Sequence, residues 1–121
     1  MRYRIAIALL ATTATAAAAE RDRVPVATAV GKPVSCIPIS RIRESLVRDD
    51  RTIDFVLTGR KTYRVTLPSS CPGLGFEQRF AYATSLSQLC SADIITVLSS
   101  TGLQRGASCG LAPFQLVTLA R

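Results

Sequence analysis

Four cysteines that follow a leader-like segment constrain the fold of this chain more than any other sequence feature. They are Cys36, Cys71, Cys90 and Cys109 in a chain of 121 residues. Exported proteins meet an oxidising environment, where an even number of cysteines indicates disulfide bonds. The sequence therefore predicts two disulfides that stabilise one small domain.

Residues 1–19 have the charge and hydropathy pattern of a signal peptide. Arg2 and Arg4 form a short cationic start, residues 5–11 are apolar, and the remainder is small Thr and Ala. The apolar run is shorter than the roughly 20 residues that a membrane-spanning helix needs. We predict cleavage after Ala19 and a periplasmic or secreted mature chain without a transmembrane segment. Loss of the two leader arginines lowers the formal net charge from +7 to +5.

Residues 35–121 have the pattern of a mainly β domain, preceded by a flexible lead-in at residues 20–34. Short apolar runs alternate with residues that favour turns. Strands are predicted at residues 42–47, 52–58, 62–67, 93–98 and 109–119, with a short helix or a turn that ends in a strand at residues 76–87. Pro113 favours an edge position for the last strand. We predict five to six short strands in a small disulfide-stapled barrel or sandwich.

Two alternating segments predict a hairpin around residues 59–61. The apolar positions are Ile53, Phe55 and Leu57 in the first segment and Tyr63, Val65 and Leu67 in the second. A three-residue connection pairs the two apolar sets and places Leu57 opposite Tyr63. Asp54 and Arg64 are then diagonal neighbours on the outer face.

The cysteine spacing argues against metal and redox chemistry, so we predict no metal and no cofactor. The chain has no close cysteine pair of the kind found in zinc knuckles, no Cys-x-x-Cys motif and no histidine. Four cysteines allow three disulfide pairings. We favour Cys71–Cys90, which ties a loop to the start of a strand, and Cys36–Cys109, which joins the ends of the domain.

The candidates for catalysis are few, and each has a simpler structural explanation. Without histidine, Ser-His-Asp triads and His general bases are excluded. Asp49 and Asp50 suit a polar turn, and Asp93 suits a turn at the start of a strand. No phosphate loop, dinucleotide fingerprint or nucleophile elbow occurs. The sequence predicts no catalytic residue and favours a non-enzymatic protein. The alternatives are an enzyme that works with Asp, Ser, Tyr and Arg, or an inhibitor of a secreted hydrolase.

The excess of basic residues is the feature that points to a ligand. Six of them lie in or beside neighbouring predicted strands: Arg41, Arg43, Arg48, Arg60, Lys61 and Arg64. If those strands pair, they form a patch able to attract an anionic polymer, such as lipopolysaccharide or an acidic glycan, or phospholipid head groups. Interleaved acidic residues weaken this field, so solvated surface charge is the other interpretation. Nucleic acid is not expected as a partner, because no binding motif is present.

Short motifs around the cysteines form a recognisable set. They are Cys36-Ile37, Asp49-Asp50-Arg-Thr-Ile53, Leu67 before Cys71-Pro-Gly-Leu74, Leu89-Cys90-x-x-Asp93-x-Ile95 and Cys109-Gly-Leu-x-x-Phe114. This set resembles a family of small exported proteobacterial proteins of unknown function that carry four cysteines, and the resemblance covers most of residues 35–115. It implies a periplasmic setting and supplies no activity or site residue. We therefore expect a binding or structural module for an envelope component.

Overall fold

The computed structural model describes residues 24–84 and 86–120 and shows a mainly β, sandwich-like fold. The described strands are β1 (Ala27–Ala29), β2 (Cys36–Pro38), β3 (Ile42–Val47), β4 (Thr52–Leu57), β5 (Lys61–Thr66), β6 (Phe80–Tyr82), β7 (Gln88–Cys90), β8 (Ile94–Leu98), β9 (Arg105–Gly110) and β10 (Gln115–Leu119). A 3₁₀ turn (Ile39–Arg41) precedes β3, and helix α1 (Leu74–Glu77) follows β5. The predicted signal peptide at residues 1–19 lies outside the described residues.

Three antiparallel sheets surround one hydrophobic core. The largest has the strand order β1-β10-β5-β4-β3, a second has the order β6-β8-β9, and β2 pairs with β7. Each sheet contributes a fully buried side chain, for example Ile37 from β2, Phe55 from β4 and Ile95 from β8. The rings of Phe55 and Phe114 meet edge to face, with centroids 5.7 Å apart. The inward residues of the alternating strands therefore supply a shared core, as period-two patterning requires.

The predicted hairpin is β4 followed by β5, and its connection has the predicted length of three residues. It lies one residue earlier than predicted, so Leu57 pairs with Lys61 and not with Tyr63. Gly59 and Arg60 adopt positive φ angles of 81° and 62°, which centres the turn on them. Because the pairing moves by two residues, the inward side chains remain inward.

The first and last described strands differ most from the prediction. Residues 27–29, expected in a flexible lead-in, form β1 and pair with β10, with Ala27 opposite Leu119. The single strand predicted at residues 109–119 is two strands in different sheets, β9 and β10, with Pro113 between them. The predicted edge position is wrong for β10, because β1 covers its second side. Pro113 lies in the connection, where no ladder hydrogen bond is needed.

All four cysteines form disulfides, as predicted, but the predicted pairing is wrong. The bonds are Cys36–Cys90 and Cys71–Cys109. β2 and β7 pair so that Cys36 lies directly opposite Cys90. Cys71 is fully buried and joins the loop before α1 to β9. The ends of the domain need no disulfide, because main-chain pairing between β1 and β10 already joins them.

Helix α1 packs closely against the β3–β4 turn at Gly75. The Gly75 N–H donates a hydrogen bond to Asp50 Oδ1 at 2.7 Å. A Cβ atom at Gly75 would lie 2.9 Å from that oxygen and 3.2 Å from the main chain of Asp49. Only glycine fits this contact without movement of the turn.

We expect Gly75→Ala to lower the free energy of unfolding by about 2 kcal/mol, because the added methyl group overpacks the contact. Equilibrium urea unfolding measures the change. Gly110→Ala is the matched control, since no atom lies within 4 Å of a Cβ there. Equal stability of the two variants would contradict the close packing at Gly75.

Candidate anion-binding surface

The six basic residues predicted as a patch lie on or beside three strands that are neighbours. β4 pairs with β3 on one side and with β5 on the other. The structure nevertheless divides the six into two groups with different surroundings. Arg48 and Arg64 contact a buried carboxylate, and the other four surround the β4–β5 turn.

Arg48 and Arg64 hold the carboxylate of Asp54 between them. Asp54 Oδ2 accepts a hydrogen bond from Arg48 Nε at 2.9 Å and one from Arg64 Nη2 at 3.0 Å, and Oδ1 accepts one from Arg64 Nε at 2.8 Å. The Asp54 side chain is 0% exposed, and those of Arg48 and Arg64 are 21% and 13% exposed. Charged hydrogen bonds of this geometry fix both guanidinium groups. These two arginines are therefore part of the folded framework, largely covered, and one of their two charges is neutralised by Asp54.

The structure also corrects the expected place of Asp54. The predicted register made Asp54 and Arg64 diagonal neighbours on an outer face, whereas they are directly opposite each other. Asp54 does lie on the face away from the core, but the two arginines cover it. Arg48, which follows β3, contacts it from the side of the neighbouring strand.

The other four basic residues form what we call the basic end of the large sheet: Arg41, Arg43, Arg60 and Lys61. All four are exposed. The Thr58 N–H donates to the Arg41 carbonyl oxygen at 2.9 Å, which holds the 3₁₀ turn against the β4–β5 turn. Among the described residues, ion pairs involve Asp54 with its two arginines and none of these four side chains. The basic end thus presents four cations to solvent.

Two clefts at the basic end both include Leu57. Val56 lines one and Tyr63 the other, and these side chains belong to opposite faces of the large sheet, because side chains alternate along a strand. One has a volume of about 490 Å³ and is lined by Pro38, Arg41, Leu57, Thr58, Gly59, Lys61 and Tyr63. The other has a volume of about 370 Å³ and is lined by Arg43, Glu44, Val56, Leu57 and Arg60. The first cleft therefore combines two cations with apolar side chains, whereas the second also contains the carboxylate of Glu44 beside its two arginines. Guanidinium groups bind phosphate, sulfate and carboxylate in a bidentate manner, and the lysine ammonium adds a point charge.

The acidic residues considered for catalysis have structural contacts. Asp49 Oδ1 accepts a hydrogen bond from the Arg51 N–H at 2.8 Å, and Asp93 Oδ2 accepts one from the Cys90 N–H at 2.7 Å. Asp50 receives the Gly75 N–H described above. Asp49 and Asp93 make the local turn contacts that their sequence positions predicted. The contact of Asp50 with helix α1 was not predicted.

Sequence reasoning named the cations of the basic end but missed the contribution of Tyr63. The alternation in β5 assigned Tyr63 to the core face, and the ring does pack partly against the core. Its place in a cleft depends on the 3₁₀ turn, which brings Pro38 and Arg41 next to the hairpin. No local sequence pattern indicates that approach.

The described residues contain no arrangement typical of a membrane span or a metal centre. No helix among them is long and apolar enough to cross a membrane, and no group of three or more His, Cys, Asp or Glu side chains is placed to hold a metal ion. Comparison with family models, curated proteins and solved structures finds no match to this chain. The resemblance to exported proteobacterial proteins therefore stays a prediction, and the functional argument rests on the geometry of the basic end.

Proposed function

We infer that this protein is a non-enzymatic binding module whose basic end holds an anionic polymer or lipid head group of the cell envelope. The observation that supports the proposal is the division of the six cations. Asp54 neutralises part of one group, while Arg41, Arg43, Arg60 and Lys61 are exposed around a single turn. The two disulfides fit an oxidising compartment outside the cytoplasm. The predicted signal peptide would direct the chain to the periplasm or beyond it.

The exposure of these cations favours a ligand with repeated negative charges. One ion pair at the surface contributes only about 0.2–1 kcal/mol, because water and salt screen it. A polymer or a lipid surface engages several cations at once, and the second and later contacts form at high effective concentration. The proposed binding is therefore sensitive to salt.

Reversing two charges of the basic end tests the proposal. We expect Arg41→Glu/Arg43→Glu to bind heparin and phosphatidylglycerol vesicles about tenfold more weakly, because two attractive contacts become repulsive. Salt elution from heparin resin and vesicle co-sedimentation measure the change. Far-UV circular dichroism establishes that the variant is folded.

Arg79→Glu/Arg105→Glu is the matched control. It makes the same change in net charge on two exposed arginines at the β6-β8-β9 sheet, Arg79 just before β6 and Arg105 in β9. The proposal requires that this variant binds nearly as well as the wild type. An equal loss in both variants would show attraction by net charge alone, and absence of wild-type binding to both probes would end the proposal.

A further inference from the structure

The cleft between the 3₁₀ turn and β5 differs from the rest of the basic end because it contains an aromatic ring. We call it the Tyr63 cleft. Leu57 is buried at its base, and Pro38 and Tyr63 are half-buried. Arg41 and Lys61 are exposed at its rim. The cleft thus has an apolar interior and a cationic margin, which is the usual organisation of a site for a small organic group.

The walls of the Tyr63 cleft are held by the fold. In β5, Lys61, Tyr63 and Val65 point to the same side of the sheet, since side chains alternate along a strand. Val65 is fully buried, Tyr63 packs partly on the core, and Lys61 is exposed, so the ring lies where the core meets solvent. On the opposite wall, the main chain of the 3₁₀ turn is hydrogen-bonded through Arg41 to the hairpin and through the Ile39 N–H to the Ser87 carbonyl oxygen at 3.0 Å.

The apolar interior and cationic margin of the Tyr63 cleft favour some anionic ligands over others. A phosphate ion or a polyphosphate has negative charge but no apolar face to place against Tyr63 and Pro38. A pyranose ring has a face of C–H groups that packs on an aromatic ring, and its acidic substituents would reach the cations at the rim. Its hydroxyl groups can exchange hydrogen bonds with the tyrosine and threonine hydroxyls of the cleft.

Building on the proposed function, we propose that the Tyr63 cleft binds one sugar unit of an acidic glycan, with Tyr63 against the sugar ring and Arg41 and Lys61 on its acidic substituent. The remaining cations of the basic end, Arg43 and Arg60, then contact anionic groups on neighbouring sugar units of the same glycan. Tyr63 determines specificity for a saccharide, whereas the cations provide attraction that any polyanion shares.

The test compares Tyr63→Leu with the wild type on two probes of similar charge. The probes are a heparin-derived hexasaccharide and a short inorganic polyphosphate, titrated by calorimetry. We expect hexasaccharide affinity to fall roughly tenfold and polyphosphate affinity to change less than twofold, because leucine keeps the apolar packing but removes the ring. The double variant Arg41→Glu/Lys61→Glu should bind both probes more weakly than the wild type. Tyr82→Leu, a half-buried tyrosine in β6, is the matched control and should change neither.

The possible results distinguish failure of the sugar assignment from failure of the proposed function. Equal effects of Tyr63→Leu on both probes, or no effect on either, would overturn the sugar assignment and leave the charge-based function standing. Phosphatidylglycerol vesicles that lose affinity on Tyr63→Leu as strongly as the hexasaccharide does would assign the cleft to a lipid head group and overturn it as well. Absence of hexasaccharide binding to the wild type would overturn the sugar assignment, and if polyphosphate and phosphatidylglycerol vesicles also fail to bind, the proposed function itself fails.

A second measurement does not depend on the folding of Tyr63→Leu. The chain has three tyrosines, and Tyr3 lies in the predicted leader, so the mature protein contributes only two tyrosine ring spin systems to a proton NMR spectrum. We expect the hexasaccharide to shift the Tyr63 ring signals of the wild type and to leave those of Tyr82 in place, while polyphosphate shifts neither. Unmoved Tyr63 signals at saturating hexasaccharide would overturn the inference.

Discussion

Replacing Cys71 and Cys109 together by alanine should lower the free energy of unfolding by about 4 kcal/mol. The bond joins residues 38 positions apart, so its loss releases a long loop in the unfolded chain. Cys71 is also fully buried in the core, and a smaller side chain there loses packing. Because small domains have a net stability of about 5–15 kcal/mol, this single loss removes a large part of it. Equilibrium urea unfolding of the oxidised variant and the wild type measures the difference.

The control for this experiment also tests the pairing. Cys36→Ala/Cys90→Ala removes the other disulfide, so each of these two double variants should contain no free thiol by reaction with a thiol reagent. Cys71→Ala/Cys90→Ala breaks both bonds and should expose two thiols on denaturation. Unchanged stability of the Cys71→Ala/Cys109→Ala variant would contradict the stabilising role of the bond. Two free thiols in it would contradict the pairing.

Asp54→Asn should destabilise the domain by about 3 kcal/mol. The substitution keeps the volume of the side chain but removes the charge that Arg48 and Arg64 share, and both guanidinium groups are largely covered. Breaking a buried ion pair from one side costs about 3–5 kcal/mol, because the remaining charge is left without compensation. The partial exposure of both arginines places the effect at the lower end of that range. Thermal and urea unfolding provide the measurement.

Two controls identify the cause of the expected loss at Asp54. Glu44→Gln removes the same charge from an exposed side chain of the neighbouring strand and should change stability by less than about 0.5 kcal/mol. The triple variant Asp54→Leu/Arg48→Met/Arg64→Met replaces the whole cluster by apolar groups and should recover much of the stability. A triple variant as unstable as Asp54→Asn would show that the cluster does not act as a linked group of charges.

The parts of the fold that the sequence predicted depend on local patterns. The β4–β5 hairpin follows from two alternating segments and a short connection, and only the centre of the turn was misplaced. Its position depends on positive φ angles at Gly59 and Arg60, and a positive φ at arginine has no strong sequence signal. The strand predicted at residues 93–98 is β8, which is a compact β-branched run.

The parts that the sequence missed depend on contacts between distant residues. Cys36 and Cys90 are 54 positions apart, and their pairing follows from β2 meeting β7. β1 is a short run of small residues without an alternating apolar face, so its pairing with β10 has no local signal. The candidate surface was predictable in part for the same reason. Strand adjacency brought six cations together, but only the folded structure shows that two of them hold the carboxylate of Asp54.

The pairing of β1 with β10 also determines when the large sheet can be completed. A strand at residues 27–29 finds its partner at residues 117–119, so nearly the whole chain must be present before the two can meet. Contacts between such distant segments form slowly, because a long loop must close first. A chain carried across a membrane from its N-terminus would deliver β1 first and keep it unpaired until the far end of the domain followed. The sheet would thus be assembled on the side of the membrane where the disulfides also form.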